Sequence, residues 1–99
     1  MSIWDNVTEH DLQLAMDECD HYGLDLFRTR YGDFYQADSL HMYYPEQGTE
    51  KGPYEARPLV AAAYAYHCHH QRYLEPIDFQ DNDAQKFLVS HYHFRHQFS

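Results

Sequence analysis

The sequence predicts a small α+β domain: two N-terminal helices, a short hairpin, a buried central helix and a C-terminal helix. Three observations lead there. Apolar residues recur at helical spacing in several runs, one stretch alternates as a strand does, and glycines and prolines punctuate the chain between them. The 99 residues, 43% apolar and 17% aromatic, suit one core and a single domain over 1–99. That is too apolar for a disordered chain.

Taken in order, Thr8 reads as a helix N-cap, with Glu9 and Asp11 in the first turn behind it. Leu12, Ala15, Met16 and Cys19 follow at helical spacing, and Gly23 sits where a left-handed cap closes a helix running from about Glu9 to Tyr22. Its outer face is expected to carry Asp11, Asp17, Glu18 and Asp20 as an acidic ridge. Leu24–Tyr31 is a second, shorter helix with Leu24, Phe27 and Tyr31 on one face, ended by Gly32. It holds Arg28 and Arg30, a close basic pair. Ser39–Tyr44 is strand-like: Leu40, Met42 and Tyr44 alternate with His41 and Tyr43. Pro45–Pro53, with Gly48 and Gly52, reads as a turn or loop, and Tyr54-Glu55 as a short returning strand.

The central stretch is Tyr54–Tyr66, YEARPLVAAAYAY. Pro58 suits the first position of a helix. The run after it is apolar almost all round, which marks a buried helix over residues 58 to about 69. Arg57 at its mouth either belongs to a purely structural helix or faces an anion at the helix N-terminus. Beyond it, Leu74, Pro76, Ile77 and Phe79 are expected to pin an irregular segment to the core. Asp81, Asn82 or Asp83 caps a last helix with Ala84, Phe87, Leu88 and His91 inward. The tail His91–Phe98 fits either a strand or a frayed helix end.

The stretch Ala15-Met16-Asp17-Glu18-Cys19-Asp20-His21-Tyr22-Gly23, then Phe27, then Tyr31-Gly32, resembles the N-terminal head domain of McrA-type, modification-dependent HNH endonucleases. That family reads A-x-x-E-x-D-x-x-G, then F-x-x-x-Y-G, then a helix matched here by Tyr54–Tyr64. Leu74, Pro76, Asp78-Phe79, Phe87-Leu88 and Phe94 echo its downstream pattern, so the resemblance covers about 7–94. It implies a module that recognises DNA, often modified, for an attached nuclease. The chain departs from the pattern in keeping only Arg57 at the helix start, in carrying Asp81-Asn82-Asp83 where the family has glycines, and in showing no nuclease domain.

Sixteen acidic against seven basic residues give a formal charge of −9. Such a chain repels nucleic acid unless its cations cluster, and favours basic partners. No nucleophile motif, phosphate loop or HNH signature is visible, so no enzyme and no cofactor are expected. Among the nine histidines, His67, Cys68 and His70, or His91 and His93, are the candidate metal ligands. No CxxC or HExxH spacing supports them, and no metal is expected. Cys19 and Cys68 lack paired spacing, Met1–Trp4 leads straight into polar sequence, and no run is long enough to span a membrane; a cytoplasmic protein with reduced thiols is expected.

Two functions follow. The first is an acidic, tyrosine-rich inhibitor or adaptor of the phage anti-defence type (anti-restriction or anti-CRISPR). It would mimic DNA and occupy a basic nucleic-acid site on a partner protein through Asp11, Asp17, Glu18, Asp20, Asp81 and Asp83. The second is a reader of plain or modified DNA, as the resemblance implies, using Arg28, Arg30, Arg57 and Arg72 on one face. Protonation of the histidines below neutrality would remove most of the negative field on which the first depends.

Overall fold

A computed structural model describes residues 3–31, 41–46, 49–79 and 83–96. The chain forms the expected α+β domain. Its elements are α1 (Glu9–Tyr22), α2 (Leu24–Tyr31), β1 (His41–Glu46), β2 (Thr49–Glu55), α3 (Ala56–His67), a single 3₁₀ turn (Pro76–Asp78), α4 (Asp83–Tyr92) and β3 (Arg95–His96).

Helix α1 starts and stops on local chemistry. The Thr8 hydroxyl accepts from the Asp11 backbone N–H, and the Asp11 carboxylate accepts from the Thr8 backbone N–H. This reciprocal box satisfies donors that the first turn leaves free. Gly23 closes the helix at φ 88°, a value that favours glycine, and its N–H donates to Cys19 O at 2.8 Å. Leu12, Ala15, Met16 and Cys19 are buried. Phe27 and Tyr31 bury the inner face of α2, and Leu24 packs against the core. Gly32, proposed as its stop, lies outside the described residues, as do Ser39, Leu40, Gly48, Asp81 and Asn82.

Of the segment 45–53, the described residues 45–46 and 49–53 are strand rather than loop. β1 runs to Glu46 and β2 begins at Thr49; they pair antiparallel, with β3 on the other side of β1. The glycine and prolines are tolerated because of where they fall. β2 lies at the sheet edge, where a proline removes no ladder bond from a further neighbour. Among the described residues β3 pairs with Met42 and Tyr43, so its ladder does not reach Pro45. Gly52 stands opposite a break in register between Met42 and Tyr44. It has φ +133°, and a Cβ there would lie 2.8 Å from the Met42 carbonyl oxygen.

β2 passes directly into α3, with Glu55 as the extended N-cap residue. The helix therefore begins at Ala56, two residues before the expected start, and Pro58 is its third position. The amide of that position has no partner within the helix in any case, so proline fits there too. α3 ends at His67 rather than 69: His69 and His70 have φ of 54° and 60°, and the His70 N–H returns to Ala65 O at 2.6 Å. Pro58 to Ala65 are all buried, and α3 packs against α1, α2, α4 and β2.

Two parts of the C-terminal half differ from expectation. Leu74 and Phe79 are buried, but Ile77 is 82% exposed at the 3₁₀ turn. In α4, Ala84, Phe87 and Leu88 face inward while His91 is exposed. The tail resolves into both alternatives: α4 continues to Tyr92, His93 turns at φ 61°, and a short strand follows. The N-terminal turn adds Trp4 and Val7 to the core. Trp4 stacks on Phe79 at 4.9 Å between centroids, and Tyr92 donates its hydroxyl to Val7 O at 2.7 Å. Among the described residues no helix is long and apolar enough to cross a membrane.

Candidate functional site

The acidic residues of α1 divide into two sets, and the ridge expected on its outer face is not continuous. Asp11 and Glu18 are buried, both 8% exposed, while Asp17 and Asp20 face solvent. Spacing explains the division. Positions 11, 15 and 18 follow one another at i, i+4 and i+7, so Asp11 and Glu18 share the stripe of buried Ala15. Asp11 completes the Thr8 cap, and its Oδ2 also accepts from His67 Nδ1 at 3.1 Å. Among the exposed pair, Asp17 accepts from Gln13 Nε2 at 2.9 Å and Asp20 from the Tyr54 hydroxyl at 2.9 Å. Asp83 is half-buried at the start of α4.

Glu18 is the centre of a polar node joining three helices. Its Oε1 accepts from the Tyr31 hydroxyl at 2.6 Å and from the Tyr66 hydroxyl at 2.5 Å. Its Oε2 lies 3.3 Å from Arg30 Nε. Tyr31 thus spends its one proton on Glu18, so its oxygen accepts from His70 Nε2 at 3.1 Å, and that nitrogen carries the hydrogen. Burial, and then the bond to Glu18, push the Tyr31 hydroxyl well above the usual tyrosine range and the Tyr66 hydroxyl up to about 12. Burial, and then the bond to Asp20, raise Tyr54 likewise. Burial, followed by the fields of Asp20 and Glu18, lifts the Cys19 thiol to about 11. These tyrosines are neutral donors that hold carboxylates inside a small domain, which an unpaired buried carboxylate could not do. A shallow cavity of about 220 Å³, lined by Tyr22, Leu26, Phe27 and Arg30, opens beside Glu18.

The four arginines do not form one face. Arg28 and Arg30 are two apart on a helix and so point different ways. Arg28 forks onto buried Glu55, with Nε 3.0 Å from Oε2 and a second contact from its terminal nitrogen to Oε1. Arg30 turns to Glu18 and lies over the Tyr31 ring at 5.6 Å. Arg57 is in the first turn of α3, over the Phe79 ring at 5.5 Å. Arg72 is exposed beyond the other end of that helix.

The histidines are likewise spread over separate tasks. His67 meets Asp11 and His70 meets Tyr31, while His91 donates from Nδ1 to Phe87 O at 3.3 Å. His93 is exposed, and Cys19 and Cys68 are free thiols. Among the described residues no three histidine, cysteine or acidic side chains are grouped to hold a metal ion.

Comparison with known proteins returned one family: the model of the ScoMcrA-like, N-terminal head domain matches residues 5–94. No curated protein and no solved structure matches the chain.

Proposed function

The chain belongs to the ScoMcrA-like N-terminal head-domain family, and from that premise we propose that it is a non-catalytic module that recognises DNA. The observation that carries this reading is the family match itself, which runs from the N-terminal turn through α4. The formal −9 already counts Arg28 and Arg30 against Glu55 and Glu18, so these pairs leave the net charge as it stands. Arg28 and Arg30 are engaged with Glu55 and Glu18; Arg57, Arg72, Lys86 and Arg95, outside those two pairs, are taken as the candidate phosphate contacts. The module would work in the cytoplasm, and no cofactor enters the reading.

A second reading rests on one specific observation, the net charge of −9, with Asp17 and Asp20 exposed on α1. In it the module docks on a basic, nucleic-acid-binding surface of another protein, as an anti-defence inhibitor would. A gel shift with plain and modified duplexes separates the two. The DNA reading expects a shifted band that weakens steeply with salt, by about 0.9 in log-log slope per phosphate contact. It also expects loss of the band in Arg57→Ala with Arg72→Ala, and little change in Asp17→Lys with Asp20→Lys. No shift with any duplex at low salt would overturn it. Salt dependence alone does not discriminate, because screening weakens protein docking as well.

A further inference from the structure

We draw no further inference here: the strongest candidate, the shallow cavity between α1 and α2 rimmed by the exposed Tyr22 and Leu26 side chains, is an apolar face, and nothing in the structure shows what covers it.

Discussion

Glu18→Ala tests whether the buried carboxylate, rather than its surface neighbours, organises the helical face of the domain. The substitution removes the acceptor of two short hydroxyl bonds, from Tyr31 and Tyr66. A hydrogen bond to a charged group contributes about 1.5–3 kcal/mol. Both are not lost in full. Tyr31 keeps its bond to His70 Nε2, 3.1 Å away, and can donate to that nitrogen once the imidazole moves its hydrogen to Nδ1, and Tyr66 is half-buried and can rehydrate. The Arg30 side chain is 55% exposed, so its ion pair adds at most ~1 kcal/mol. The expected cost is about 2–4 kcal/mol, a large part of the stability of a small domain. Urea unfolding followed by the fluorescence of the single tryptophan measures it. The control, Asp17→Ala on the exposed side of the same helix, should stay within about 0.5 kcal/mol of wild type. A double-mutant cycle of Glu18→Gln with Tyr31→Phe should return a coupling above about 0.5 kcal/mol. Equal midpoints for Glu18→Ala and Asp17→Ala, or a coupling near zero, would refute the reasoning.

Other perturbations follow from the same contacts. Leu59, fully buried in α3, should cost on the order of 2–5 kcal/mol as Leu59→Ala through the cavity it leaves; a midpoint matching that of a surface variant would contradict its placement. Gly52→Ala should destabilise by roughly 1–3 kcal/mol, because positive φ and the Met42 carbonyl both oppose a side chain there; thermal unfolding reads this. Alkali should unfold the protein cooperatively. Cys19 and Tyr66 keep their protons in the folded state at a pH where the unfolded chain has lost them, so their contribution is whole below the unfolded values and is lost as pH rises. The windows run from 9.0 to about 11 for Cys19 and from 10.0 to about 12 for Tyr66. Tyr66→Phe should flatten the upper window in pH-dependent denaturation curves.

Much of the candidate site was hidden in the sequence for one reason. Residue type pointed outward for Asp11 and Glu18, while their spacing from Ala15 pointed inward, and spacing decided. Their partners are remote: Tyr66 lies 48 positions from Glu18 and His67 lies 56 from Asp11. The burial of Trp4 depends in the same way on Phe79, far along the chain. β2 was disguised by Gly52 and Pro53, residues that read as a turn unless the strand is known to lie at an edge and opposite a bulge.

What the sequence determined by itself is what short-range physics controls. Thr8 and Gly23 set the ends of α1, the apolar stripes set the inner faces of α1, α2 and α4, and the run Pro58–Ala65 made α3 the buried axis. Caps, periodicity and backbone preference act within one or two turns, so they can be read from neighbours alone. Only the tertiary structure decided which acids are structural and which face solvent, that Arg28 and Arg30 are held by Glu55 and Glu18, and that Trp4 stacks on Phe79. Those outcomes depend on which groups meet across the core: a buried charge or donor is tolerable only beside its partner, and only the packed chain brings the partners together.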